Sequence, residues 1–424
     1  MKLLISAYAC APGLGSEHAV GWNWATEAHR LGHQVWVLAS SAHRAAVEAA
    51  CRDDAELAGI NWVFPEIRGW PLRPATEPEW ERSYNLLWQR KAVSHARDLQ
   101  RRVGFDAIHH LTWAGIRAPT FLGALGPPLI IGPVGGGETS PRLLRDGFAS
   151  RGRVLEELRD LSNATITVNP MVRRGLRDAA VIFASTADTR NLFTGALREK
   201  TLIFSQLALS EVRAARPRPS RPPRRLLYAG RLLYWKGIHI AIDAFARLAA
   251  RVADASFTIV GDGPERERLQ AQAAALNVGD RVDFITRLPQ EELFELYDSH
   301  DLLLFPSLHD SGGFVVLEAM SHGLPVVCLD LGGPGEMVTA ESGVVVATAG
   351  RTSEQVAAAA ADAMAALLAS PERLAVLSAG AIARANQFVR SDRVAQFYAA
   401  AVDFIGARRQ HGREDALAAP EAAE

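Results

Sequence analysis

Apolar residues in this chain gather in short uninterrupted runs. Each run is stopped by Gly, Pro or a polar turn and followed by a longer segment with helical spacing. In the first half the runs are Lys2–Tyr8, Gln34–Ala39, Ile60–Phe64, Ala107–Leu111, Pro128–Ile131, Val181–Ala184 and Thr201–Phe204. In the second half they are Leu226–Ala229, Phe257–Val260, Val282–Ile285, Leu302–Phe305 and Pro325–Leu329. Helical segments intervene near 16–32, 42–57 and 79–103, with an Arg-rich one over 142–160 and Ala-rich ones over 353–388. Strands without polar alternation suit sheets covered on both faces, so the order predicts α/β architecture with parallel, doubly wound sheets. A last amphipathic helix is expected from Asp392 to Ile405.

The alternation breaks once. Arg213–Arg225 reads R-A-A-R-P-R-P-S-R-P-P-R-R, with four prolines and no apolar period, and predicts a stiff linker over 211–225. It divides a first domain, 1–210, from a second, 226–389, a division that 424 residues lead one to expect. The acidic, Ala-rich tail, 411–424, reads as disordered. A net charge of −1 disfavours a nucleic-acid partner. Cys10, Cys51 and Cys328 are scattered, without the spacing of a zinc site or a disulfide framework, which fits a cytoplasmic chain. No apolar stretch reaches the length of a transmembrane helix, and the N-terminal run suits a first strand better than a signal peptide.

Chemistry concentrates where runs end. After Leu302–Phe305 comes P-S-L-H-D-S-G-G, then a helix opening at Phe314 and closing at Gly323. A helix N-terminus at the carboxyl edge of a strand offers free N–H groups and positive potential, which suits a phosphate. Two carboxylates bracket the turn, Asp310 in the loop and Glu318 in the helix. G-R-L-L-Y-W-K-G, Gly230–Gly237, places Arg231 and Lys236 at the end of the first strand of the second half, the edge where open α/β sheets bind ligands.

An acid, seven residues, then E-A-M and G-L-P-V-V resembles the signature of the retaining glycosyltransferases with the GT-B fold, family 4 (group 1), although Asp310 stands where the family usually has Glu. A-Y-A-C-A-P-G-L-G-S-E and G-P-V-G-G-G-E resemble a bacterial branch that builds polysaccharides or lipid-linked glycans. The resemblance implies two Rossmann-like domains facing a cleft, with 390–410 a helix crossing back to the first. It further implies transfer of a hexose from a UDP- or GDP-sugar to a glycan or lipid-linked acceptor hydroxyl. Arg231 and Lys236 would grip the diphosphate, Asp310 the sugar and Glu318 the ribose. The backbone of Ser311, Gly312, Gly313, Phe314 and Val315 would meet sugar and diphosphate, with Gly15, Gly230 and Gly263 lining the donor and Arg287 and Leu288 beside the base. Gly13, Ser16, Gly136, Gly137 and Glu138 would shape the acceptor site.

No metal is expected, because the two cations and the helix amides can carry the charge of the leaving diphosphate. The loop at Gly13–Ser16 lacks the third Gly and distant acid of a dinucleotide fingerprint. Family members carry a His near the end of the fourth strand, and strand alternation lets only one of His109 and His110 face the cleft; His110 is preferred, and His309 is a weaker candidate. Arg142, Arg145, Arg151, Arg153 and Arg159, with Arg173, Arg174 and Arg177, form either an ordinary charged helix face or a basic face of the first domain for an anionic membrane. Two alternatives to transfer stay open: an epimerase of nucleotide sugars with the same fold, and a non-catalytic subunit that binds a glycan or partner.

Overall fold

In the computed structural model, residues 1–67, 78–113, 115–212, 214, 222 and 224–418 are described, the side chains of 78–83, 167 and 411–418 excepted. Seven strands form the first sheet: β1 (Lys2–Ala7), β2 (Gln34–Leu38), β3 (Asn61–Val63), β4 (Ala107–Thr112), β5 (Leu129–Val134), β6 (Val181–Ala184) and β7 (Thr201–Ile203). All pair in parallel, in the order β3-β2-β1-β4-β5-β6-β7. Six strands form the second: β8 (Arg225–Ala229), β9 (Ser256–Val260), β10 (Val282–Ile285), β11 (Leu302–Phe305), β12 (Val326–Leu329) and β13 (Gly343–Val346). These too are parallel, in the order β10-β9-β8-β11-β12-β13. The short apolar runs thus sit in sheets covered on both faces. The edge strand β13, G-V-V-V, was not expected from the sequence.

The chain divides into two units. The first comprises Met1–Gly136, Ala164–Gln206 and the chain from Arg390 onward; the second comprises Gly137–Asn163 and Leu207–Val389. Residues 137–163, expected in the first domain, therefore pack with the second. Residues 213, 215–221 and 223 of the expected linker lie outside the described residues, as do 419–424 of the expected tail.

In the first unit, one face of the sheet is covered by the closing helix, Arg390–Ala418, which runs beyond the expected end at 410. Val394, Phe397, Tyr398 and Ala401, spaced i, i+3, i+4 and i+7, are buried with Trp24, Leu111 and Phe183. The other face packs on the helix Pro78–Val103 through Trp88, Ala92 and Ala96. In the second unit, the helix Ile238–Ala249 buries Ile238, Ile242 and Phe245 against β8, β9 and β11, and Ala-rich helices Ser353–Leu368 and Pro371–Ala385 complete the cover. Among the described residues, no single helix is long and apolar enough to cross a membrane.

Candidate functional site

Strand order in the second sheet reverses between β8 and β11, the switch point outside which open α/β sheets bind ligands in a crevice. Gly230–Gly237 is the loop that follows β8 and Pro306–Gly313 the one that follows β11. Gly237 has φ +66°, and a Cβ on it would lie 2.0 Å from the Pro306 carbonyl oxygen, so only glycine lets the loops touch here. The Leu308 amide donates to the Trp235 carbonyl at 2.8 Å. Lys236 Nζ donates to the Asp310 carboxylate and lies 5.4 Å from the Phe305 ring centroid. Two residues singled out in separate motifs are thereby one ion pair. Arg231 is exposed on the same loop, and its side chain enters no hydrogen bond or ion pair among the described residues.

The Asp310 loop is held from behind by the Gly333 amide, which donates to the Asp310 carbonyl at 2.7 Å. The helix Phe314–Ser321 follows, with Ser311, Gly312, Gly313 and Val315 half-buried and Phe314 exposed. Glu318 is half-buried; its carboxylate accepts from Tyr297 Oη and Gln290 Nε2, both at 3.4 Å. Burial first, and then the Glu318 carboxylate, push the Tyr297 hydroxyl up from its ordinary pKa.

Residues 137–163 form a strap that brings two more acids to this loop. Glu138 is buried and accepts from Ser311 Oγ at 2.6 Å. The strap helix, Ser150–Ala164, buries Glu156 completely. Gly152 permits this: a Cβ there would already stand 3.1 Å from the Tyr234 ring, so the helix lies close against that side chain. Glu156 then accepts from His309 Nε2 at 2.9 Å, Tyr234 Oη at 3.2 Å and the Ser140 amide at 3.1 Å. Burial works against the charge of Glu156, but the His309 and Ser140 bonds outweigh it and hold the pKa at about 2. Tyr234 is pushed up to about 12, by burial and then by Glu156. His309 stacks on Trp235, with centroids 5.2 Å apart and planes 14° from parallel. Glu156, Tyr234, Trp235 and Tyr297 were not foreseen as site residues. The only signal was aromatic: Y-W inside the Gly230–Gly237 loop.

Other expected residues lie apart. Gly263 belongs to the turn after β9, packed under Leu232 of the Gly230–Gly237 loop, and its amide is taken by Asp262 Oδ1 at 2.9 Å. Arg287 is exposed and Leu288 half-buried after β10, the edge strand. The expected acceptor set is divided. Gly13 and Ser16, with Gly15, are exposed in the first unit after β1, and Gly136 of that unit accepts from Arg117 Nη1 at 2.9 Å. Gly137 and Glu138 belong to the second unit, where the Gly137 carbonyl accepts from Asn163 Nδ2 at 2.8 Å. In the first unit, too, the strand order reverses, between β1 and β4, and Glu17 ties the two loops by accepting from the Trp113 amide at 2.7 Å.

The histidines need correction. His109 is fully buried, its Nδ1 bonded to Tyr398 Oη at 2.9 Å and its Nε2 to the Gly132 carbonyl at 2.6 Å, and it stacks on Phe397. With both nitrogens occupied, it joins β4 to β5 and the closing helix and is a structural residue. His110 points to the opposite face and is equally buried; burial, then His109, lower its pKa to about 3, and neither nitrogen finds a partner among the described residues. The basic face expected on the first domain is also revised: Arg145 and Arg159 belong to the second unit and turn inward. Arg145 bonds the Ser140 carbonyl and Asp160, and Arg159 the Glu138 carbonyl. Among the described residues, no group of three or more His, Cys, Asp or Glu could hold a metal ion.

The loops after β8 and β11, with the whole sheet that carries them, fall within residues 213–384, which match the family model of the glycosyl transferases, group 1. Over this stretch, which is less than half of the chain, it is similar to that family. Among the relatives, the glycogen synthase of Mycobacterium tuberculosis is 37% identical over 147 residues, 35% of this chain. The match spans 36% of that protein's own length, little more than a third. Among solved structures, sucrose-phosphate synthase from Thermosynechococcus elongatus has a TM-score of 0.62 at 18% identity, covering 96% of this chain and 99% of that one. HepE of Anabaena, solved in complex with UDP and glucose, has a TM-score of 0.56 at 18% identity, covering 94% and 99%. At such identities these likenesses speak for fold, the two-sheet GT-B architecture.

Proposed function

We propose that this chain is a glycosyltransferase that moves a hexose from a nucleotide diphosphate sugar to a glycan or lipid-linked acceptor hydroxyl, with retention at the anomeric carbon. The observation that carries the reading is the meeting of Lys236 and Asp310 across the switch-point crevice, with the Phe314 helix starting beside them. A diphosphate would take Lys236, Arg231 and the amides of Gly312–Val315; Asp310 would turn to the hydroxyls of the sugar, and Glu318 to the ribose. HepE holding UDP supports a UDP-sugar as the donor class. Cleavage of the anomeric carbon–oxygen bond leaves a charged diphosphate, which these cations and amides stabilise without a metal. The departing phosphate oxygen takes the acceptor proton while the acceptor oxygen bonds to the same face of the sugar. For the acceptor, Gly13, Ser16 and Gly136 are proposed in the first unit and Gly137 and Glu138 in the second, and the chain is proposed to work in the cytoplasm, at the inner face of the plasma membrane.

The test is a thermal-shift screen of nucleotide diphosphate sugars, followed by product analysis with cell-lipid extracts as acceptors. A donor that stabilises the chain and yields a product of unchanged anomeric configuration supports the reading. Conversion of the donor to another nucleotide sugar without any acceptor would make it an epimerase. Binding without turnover would make it a non-catalytic subunit.

A further inference from the structure

The strap helix is turned inside out. Its buried positions, Gly152, Glu156 and Asn163, share one face and include no large apolar side chain. Its outward positions Val154, Leu155, Leu158 and Leu161, with Leu143 just ahead, are 42–61% exposed. Spacings 154/158/161 and 151/155/158 place these residues, with Arg151, on one stripe. The acids are paired: Glu138 with Ser311 and Glu156 with His309 in the interior, Asp160 and the exposed Glu157 with Arg145, and the exposed Asp146 with Ser353. Arg142 and Arg151 remain exposed, and their side chains enter no hydrogen bond or ion pair among the described residues. The outward face is therefore apolar with a cationic edge.

A contiguous leucine face is an unusual thing to leave to water. Leucines flanked by arginines, with the exposed acid beside them, Glu157, already paired with Arg145, match the boundary of a bilayer: side chains reach the acyl region while guanidiniums meet anionic headgroups. A second copy of the chain fits less well, since a two-fold contact would bring the same uncompensated arginines together. We propose that this face of 142–161 docks on an anionic lipid surface. The inference rests on the transfer reading only in one respect, that a lipid-borne acceptor would arrive on the element whose inner face holds His309.

The test is co-sedimentation of the full chain with vesicles of phosphatidylcholine, with and without phosphatidylglycerol. The wild type should bind the anionic vesicles, and more weakly as salt rises. The double variant Leu155→Glu/Leu158→Glu should bind at least about tenfold more weakly. Arg142→Gln/Arg151→Gln should lose about 25-fold, roughly fivefold per arginine. Since all four side chains are exposed, melting and nucleotide-sugar binding should stay at wild-type level, and Val376→Glu, exposed elsewhere on the second unit, should bind vesicles normally. Variants that sediment like the wild type would overturn the proposal, as would a dimer that the leucine substitutions dissolve. A chain that binds donor but no vesicle refutes the docking alone; one that binds vesicles but no donor refutes the transfer reading alone.

Discussion

Replacing Glu156 by Gln keeps the shape of the side chain and removes its charge. The carboxylate is fully buried, with three donors aimed at it, and its pKa stands at about 2 against an ordinary 4.5. At 1.36 kcal/mol per pKa unit, that difference is about 3 kcal/mol of native-state stabilisation. The folded pKa lies below the unfolded one, so the stabilisation is complete above about pH 4.5 and drains away as the pH falls toward 2. Glu156→Gln should therefore weaken the second unit by about 3 kcal/mol at neutral pH. Less than half of that gap should remain at about pH 3. Two units can unfold separately, so a single melting curve is a poor measure. Native-state hydrogen exchange of the β11 and β12 amides reports on the second unit by itself, and they should exchange roughly a hundredfold faster in the variant. Glu157→Gln, whose side chain is 62% exposed, should change exchange by less than about 0.5 kcal/mol. Wild-type exchange in Glu156→Gln at neutral pH, or a gap that is the same size at the acid end, would refute the reasoning.

Arg231→Ala and Lys236→Ala should each lower turnover on the order of 10²-fold while the fold survives; near-normal steady-state rates in both would remove them from the mechanism. Asp310→Asn leaves the Lys236 ammonium to the diphosphate, so free nucleoside diphosphate should bind as well or better and the sugar-bearing donor more weakly. Glu318→Gln should weaken both by roughly ten- to a hundredfold, and titration calorimetry of both ligands on both variants separates the outcomes. Full activity should persist in a chelator, and recovery only with added manganese or magnesium would contradict the proposed diphosphate site. His109→Ala, which removes a buried ring and two hydrogen bonds, should destabilise the first unit by about 3 kcal/mol with donor affinity unchanged in calorimetry.

Much of this architecture was legible because a strand covered on both faces has an apolar signature that water does not blur. Leu302–Phe305 and Val326–Leu329 are examples. The edge strand β13 escaped, a four-residue run opened by a glycine. Lys236 and Asp310 could be singled out by their places after strands, but their pairing depends on β8 and β11 being neighbours, which only the sheet order reveals. Glu156 was hidden for a definite reason. Hydrophobic period assigns the leucines of a helix to the inside, and in the strap helix the leucines face out. His109 and His110 differ by one residue and so by a whole face of the sheet, and the bonds that consume His109 come from Tyr398, at the far end of the chain.

That last contact bears on how the protein is made. The chain passes between its two units at 136/137, 163/164, 206/207 and 389/390, so neither unit is one continuous stretch that could be expressed or exchanged as a simple half. During synthesis all seven strands of the first sheet emerge before the closing helix does. A nascent chain at residue 389 would expose Trp24, Phe183 and His109 without Phe397 and Tyr398 to cover them. The first unit to be translated is thus the last to be finished, and a truncation as small as the closing helix should strand it as an aggregation-prone intermediate in the cell.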